Sequence, residues 1–249
     1  MPQSIWIGFD SREADAFAVA RHSANRLNVI PVPLYPLILD DLTKSGFYQR
    51  PMEIKDGKMW DPISEFWMST EFANSRFLVP ELARLKFRGK LGVGWALFVD
   101  CDVLFRVNPQ RIFDLADPKY AVMCVKHQYA PVNETKMDGQ VQTVYPRKNW
   151  SSVMLINCDH PSNAALWRAN LVNTLPGRDL HRFCWLEDEE IGELPIEWNY
   201  LVGHYTKEDC PSPCLLHFTE GIPRMEKYRD CEYADEWRDE LTLWALNHR

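Results

Sequence analysis

A chain of 249 residues suits one large domain or two small ones. Its side chains are 46% hydrophobic and 25% charged, which excludes lengthwise disorder, collagen-like repetition and coiled coil. The 28 basic and 35 acidic side chains leave a net charge of -7, which disfavours nucleic-acid binding through bulk electrostatics but leaves a local basic groove open.

Ile5 to Phe9 reads as a short strand ending in Asp10, with Ser11 placed to cap the next element. Ala14, Phe17, Ala18, Arg21, Ala24 and Leu27 then recur at helical spacing. Val29 to Leu34 is a second strand, and Pro31 and Pro33 consign it to an edge because each removes a ladder donor. Strand, helix, strand is the start of a right-handed crossover unit. Residues 35 to 65 show little periodicity and read as a long loop, of the kind that carries function. A helix is predicted over Met68 to Leu78, and a strand over Gly94 to Val99 that ends abruptly in Asp100-Cys101-Asp102. A short helix from Asn108-Pro109 to Leu115 comes next, then strands at Tyr120 to Val125 and Ser152 to Ile156 separated by a polar stretch from His127 to Lys148. Pro161 to Leu175 is helical, Leu215 to Phe218 is a last strand, and Ala234 to Asn247 is a C-terminal helix. Strands alternating with helices predict an α/β fold with a mostly parallel central sheet. No apolar run reaches the ~20 residues of a membrane-spanning helix. The opening Met1-Pro2-Gln3-Ser4 has no basic region, so a secretory signal is not expected. An odd number of cysteines, seven, fits a reducing compartment, and the expected location is cytoplasmic.

Chemistry concentrates in two places. Asp100 and Asp102 sit two apart on a turn after an apolar strand, and ligands of open α/β sheets bind beyond the carboxyl ends of the strands. Two carboxylates so placed can share one hard divalent cation that bridges diphosphate oxygens, whereas the bland alternative is a solvated acidic turn. His217 comes after an apolar strand and precedes a glycine turn and Arg224, so that imidazole could complete a metal shell while the guanidinium meets phosphate. A packed structural histidine is the bland alternative.

Taken in order, Asp10, Ser75-Arg76-Phe77-Leu78-Val79-Pro80-Glu81-Leu82, Phe98-Val99-Asp100-Cys101-Asp102, Val153-Met154-Leu155-Ile156-Asn157 and His217-Phe218-Thr219 resemble the nucleotide-sugar-dependent glycosyltransferases of the GT-A fold. The resemblance is to the retaining family-eight group that includes glycogenin and bacterial galactosyltransferases, and it runs from Ile5 to about Arg224. It implies that Asp100, Asp102 and His217 bind Mn²⁺ (or Mg²⁺) on the diphosphate of a UDP-sugar. It further implies that Asp10 contacts the uracil and ribose, that Arg76 reaches the phosphates or the donor sugar, and that Arg224 stands where a phosphate-binding lysine is usual. The implied reaction moves a hexose to a hydroxyl acceptor with retention of configuration, without need of a strong base. Asp10 as a turn residue and Arg76 as a solvated helix face are the alternatives. Two departures stand out: Trp150-Ser151-Ser152 replaces an Asn-Ala-Gly, and only Glu187-Asp188-Glu189-Glu190 loosely matches the acidic helix start beside the anomeric carbon. Any of these four could face the sugar; Asp188 and Glu189 are taken, with Arg76, as the catalytic candidates.

Other readings compete. His204, Cys210, Cys214, His217 and Cys231 could form a structural zinc site, although their spacing is irregular. A sugar nucleotidyltransferase would show a glycine-rich basic loop after the first strand, where this chain has Asp10-Ser11-Arg12-Glu13. A non-catalytic nucleotide- or carbohydrate-binding domain is suggested by ten tryptophans, more simply read as core. The expected division is one GT-A-like catalytic domain over 1–230, with a helical extension over 231–249 packed on it. Pairing of that extension in a homodimer is an alternative, and its Asp235, Glu236, Asp239 and Glu240 make an anionic membrane a poor partner. The acceptor stays open among a glycan, a protein hydroxyl, a small molecule and a modified DNA base, the last through a local patch of Lys126, Lys136, Arg147 and Lys148.

Overall fold

The computed structural model describes residues 1–88, 92–128, 135–136, 140–141, 147 and 149–247, with backbone alone at 135–136, 140–141 and 168–169. In chain order the strands are β1 (Gln3–Gly8), β2 (Leu34–Leu37), β3 (Glu53–Lys55), β4 (Lys58–Asp61), β5 (Phe66–Trp67), β6 (Trp95–Val99) and β7 (Val103–Phe105). They continue as β8 (Val122–Cys124), β9 (Thr135–Lys136), β10 (Gln140–Val141), β11 (Val153–Asn157), β12 (Ile191–Glu193), β13 (Tyr200–Leu201) and β14 (Leu215–His217). The α-helices are α1 (Ala14–Leu27), α2 (Leu39–Lys44), α3 (Val79–Lys86), α4 (Asn170–Thr174), α5 (Gly177–His181) and α6 (Ala234–Asn247).

Six strands form the central sheet in the order β12-β8-β11-β6-β1-β2. β1 is parallel to β2 and β6, and β8 to β12, while β11 runs antiparallel between β6 and β8. The architecture is therefore α/β with a mostly parallel sheet. All five residues of β6 are buried, as a central strand covered on both faces requires. The turn feeding β6 depends on Gly94, whose φ of +76° suits glycine and where a Cβ would stand 2.0 Å from the Pro2 carbonyl oxygen.

Several local outcomes differ from the sequence reading for identifiable reasons. β2 begins at Leu34 rather than Val29, because Pro31 and Pro33 cannot donate; the Pro33 carbonyl instead accepts from Ile5 N at 2.9 Å, and pairing starts one residue later. β2 does lie at the sheet edge. Residues 35 to 65 are not a bare loop. They contribute α2 and most of the antiparallel sheet β3-β4-β5, which the buried ion pair Arg50–Asp61 ties down. The helix expected over Met68 to Leu78 is replaced by turns and a 3-10 segment, Ser75–Leu78, with α3 starting afterwards around Pro80 in its first turn. Pro161 to Leu175 is a 3-10 segment that passes into α4.

α1 presents Ala16, Val19, Ala20, Ser23 and Ala24 as a buried small-residue face against β7 and α6. α6 docks through buried Trp237 and Glu240; the Glu240 carboxylate meets His22 Nδ1 at 2.7 Å and Arg26 Nη2 at 2.7 Å. No helix among the described residues is long and apolar enough to cross a membrane. Of the basic residues suggested as a local patch, Lys148 and the side chain of Lys136 lie outside the described residues. Lys126 and Arg147 both lie against the Trp150 ring.

Candidate active site

The register of the sheet decides which residues can meet. The carboxyl ends of β1, β6 and β8 share one end of the sheet with the amino end of antiparallel β11, since Ile7 pairs with Val99 and Val99 with Val153. That end gathers Asp10 beyond β1, Asp100 to Asp102 beyond β6, His127 beyond β8, and Ser151 and Ser152 ahead of β11. A second sheet, β13-β14-β7, brings in the C-terminal half. β14 is antiparallel to β7 with His217 opposite Val103, the residue after Asp102, and Phe218 N donates to the Asp102 carbonyl at 2.9 Å.

As a result one oxygen each from Asp100 and Asp102 and one imidazole nitrogen of His217 lie within 4.8 Å of one another. His217 Nε2 is 3.3 Å from Asp102 Oδ1, and both residues are buried. Two hard oxygen donors and an imidazole fit a divalent cation of the Mn²⁺ or Mg²⁺ type. Among the described residues no other group of three or more His, Cys, Asp and Glu side chains converges in this way. Cys210, Cys214 and Cys231 are free, and His204 Nε2 meets Glu220 at 2.9 Å. The zinc alternative therefore has no assembled site.

Arg76 is buried and faces inward. Its Nη1 donates to Asp100 Oδ1 at 2.7 Å and to the Ser151 carbonyl at 2.9 Å, its Nε donates to the Ala73 carbonyl at 3.0 Å, and the guanidinium lies against Phe72 and Phe98. It holds Asp100 in place. Asp10 is fully buried and accepts from Arg12 N and Nε, both at 2.9 Å, from Arg12 Nη2 at 2.6 Å, and from Glu71 N at 3.0 Å. Burial raises its pKa, but these hydrogen bonds and the Arg12 charge outweigh it and keep the carboxyl below its usual range. Arg224 is exposed and forms an ion pair with Asp15 in the first turn of α1.

The acidic run leads into β12. Ala121 N donates to the Glu190 carbonyl, Asn157 N to the Ala121 carbonyl, and Asn157 pairs with Trp95 at the start of β6. At ~3.3 Å per residue, that level is about 16 Å along the strands from Asp100. That is the level of the Glu190 backbone, whereas the Asp188 side chain is held by Arg147, whose guanidinium lies against Trp150 ahead of β11 and donates to the Arg182 carbonyl. Asp188 is exposed and ion-paired with Arg147, and Glu187 and Glu190 cap their own 3-10 turn. Nearer Arg76 stands His181, at the end of α5, whose Nδ1 is 2.6 Å from Ser151 Oγ. Burial, then the Arg76 charge, lowers its pKa to about 3.

Sequence reasoning also passed over Glu13. Burial first, then the Asp102 charge, holds its carboxyl well above the ordinary range, and Cys101 Sγ donates to it at 3.3 Å. Asn199, His127 and Ser152 form a hydrogen-bonded group behind His217. Only the contact of two chain-distant elements places these residues, so no local pattern marks them.

No family model matches the chain. Among solved structures, the glycosyltransferase GlyE of Streptococcus pneumoniae superposes with a TM-score of 0.58 at 14% identity, covering 99% of this chain and 62% of that one. The bifunctional WbbM gives 0.55 at 13% identity over 96% of this chain and 49% of that one. The galactosyltransferase LgtC, in complex with donor and acceptor sugar analogues, gives 0.52 at 13% identity over 96% and 95%. The chain thus spans less than two thirds of GlyE and about half of WbbM, and nearly all of LgtC. These likenesses establish a GT-A glycosyltransferase fold. In sequence, the chain is 46% identical over 243 residues to Protein CDI of Arabidopsis thaliana, covering 96% of this chain and 86% of that protein. On that identity, the chain belongs to the family of Protein CDI.

Proposed function

We propose that the protein is a metal-dependent glycosyltransferase that moves a hexose from a UDP-sugar to a hydroxyl acceptor with retention, in the manner of the family-eight enzymes it resembles. The observation that carries this reading is the convergence of Asp100, Asp102 and His217 at the carboxyl end of the sheet of a GT-A fold. A glycosyl diphosphate already contains its leaving group, so the difficulty is the negative charge that develops as the C1–O bond breaks. Asp100, Asp102 and His217 would hold a divalent cation, which would supply electrostatic stabilisation to that leaving diphosphate.

The chain's own residues do the rest. Buried Arg76 fixes the Asp100 carboxylate, so that it need not reorganise during the reaction. The turn at Asp10 shapes the neighbouring wall through its bonds to Arg12 and Glu71, where the base and ribose of the donor would lie. Arg224, exposed beside α1, can exchange its Asp15 partner for phosphate oxygens. The departing phosphate oxygen takes the proton of the acceptor hydroxyl, so no protein base is required. Seven free cysteines suit a reducing compartment such as the cytoplasm.

The test is thermal stability across a panel of nucleotides and nucleotide sugars, each with and without Mn²⁺. A ligand present at a hundred times its Kd adds about 2.7 kcal/mol, a rise in Tm of roughly 5–10 °C for a chain of this size. We expect that rise for UDP and a UDP-sugar only with Mn²⁺, and its loss in Asp102→Ala. A response without metal would favour a binding domain, and one confined to UTP with a sugar phosphate would favour a nucleotidyltransferase. A flat response would overturn nucleotide-sugar binding.

A further inference from the structure

The imidazole of the proposed metal cluster is held by a buried amide whose orientation can be deduced. Asn199 is fully buried and sits one residue before β13, the strand parallel to β14. Its Oδ1 is 2.9 Å from His217 Nδ1, and its Nδ2 is 2.9 Å from both His127 Nε2 and Ser152 Oγ. The Ser152 hydroxyl proton is committed, since Oγ donates to the Asn149 carbonyl at 2.7 Å. Asn149 has a left-handed φ of 62°, which sets the direction of that turn.

Satisfaction of the donors then proceeds in one direction. Ser152 Oγ, with its proton spent, can only accept from Asn199, so the amide nitrogen must face Ser152 and His127, and Oδ1 must face His217. An amide oxygen can only accept, so His217 Nδ1 carries a proton and Nε2 is the nitrogen left to meet a cation. Nε2 is the nitrogen that faces Asp102. His127 completes the arrangement: Nε2 accepts from the amide and Nδ1 lies 2.6 Å from Tyr205 Oη, which requires a neutral ring. Burial, then the neighbouring His217 and His204, lowers its pKa to about 3, so it is neutral across the physiological range.

We propose that Asn199 is the positioning residue of the metal site, fixing His217 as its Nδ1–H tautomer with Nε2 ready to ligate, and that Ser152 and His127 fix Asn199 in turn. The metal part rests on the function proposed above; the tautomer does not. A partner on the distal nitrogen of a ligating histidine sets its orientation and basicity, and loss of such a partner costs 10–100-fold in metal affinity.

Two measurements test this. The first is the long-range ¹H–¹⁵N histidine spectrum of the metal-free protein, with His217 assigned by His217→Gln. A proton on Nδ1 of His217 is expected, whether or not Nε2 also carries one, and a neutral Nε2–H tautomer or a mixture of tautomers overturns the proposal before any cation is added. The second is Mn²⁺ affinity by electron paramagnetic resonance for the wild type, Asn199→Leu and Asn199→Asp. The leucine variant is expected to bind about 10–100-fold more weakly. The aspartate variant keeps an acceptor toward His217 and recovers most of the affinity. Equal Mn²⁺ affinity in the leucine variant and wild type overturns the positioning role, as does equal loss in the two variants with native circular dichroism. If the wild type binds no Mn²⁺ at all, the metal-dependent function fails, while the spectrum still decides the tautomer.

Discussion

His127 and His181 are imidazoles withdrawn from water, each with its pKa lowered to about 3, chiefly by burial. Both have an unfolded value near 6.5. Below that pH the unfolded chain takes up protons that the folded chain refuses, so stability falls as pH drops from about 6.5 toward 3, by ~1.4 kcal/mol per pH unit for each ring. Glu13, held above the ordinary carboxylate range, acts in the opposite sense as pH rises toward neutrality, because there the folded chain holds the extra proton. A comparison of variants isolates one ring from the rest. Between pH 6.5 and 5, His181→Asn should lose about 1–2 kcal/mol less stability than the wild type in urea titrations. An unchanged slope would show that His181 is protonated in the fold. At this scale the convergence of Asp100, Asp102 and His217 was legible, because the two aspartates come after one apolar strand and His217 ends another. Asn199 was not, since a lone asparagine after Trp198 has no pattern and takes its meaning from the carbonyl of Asn149.

The C-terminal helix owes its place to a few side chains. Glu240 is buried between His22 and Arg26 of α1, and Arg106 reaches Glu236 from β7's end at 2.8 Å. Glu240→Ala should cost about 1–3 kcal/mol, because the partners lose their acceptor and half-exposed Arg26 is resolvated only in part. Limited proteolysis should then cut within α6 before the rest of the chain; equal resistance in variant and wild type would show that Trp237 alone holds the helix. The boundaries of α6 and β6 could be read from sequence because each has unbroken periodicity or burial over its length. β7, β12 and β13 could not, since two or three residues carry no period and exist only through pairing.

As a whole, residues 1–230 are proposed as one catalytic unit on which 231–249 packs. The main hydrophobic cluster runs from Ile5 through Phe218 and Ile222 to Trp237, joining the described residues of both halves in one core. Unfolding tracked by far-ultraviolet circular dichroism and by tryptophan fluorescence should therefore give coincident single transitions. Separate midpoints would instead mark the extension as an independent layer.

The pairing of β14 with β7 also imposes a timetable on synthesis. Asp100 and Asp102 emerge from the ribosome early, the amide of Asn199 follows just ahead of β13, and His217 arrives only when the last strand is made, with α6 still to come. A nascent chain thus cannot assemble the cluster while it is still growing through its middle, so the cation cannot act as a template for the first half. Its capture would instead certify a finished molecule, and a chain stopped short of β14 would be left without the means to hold a donor.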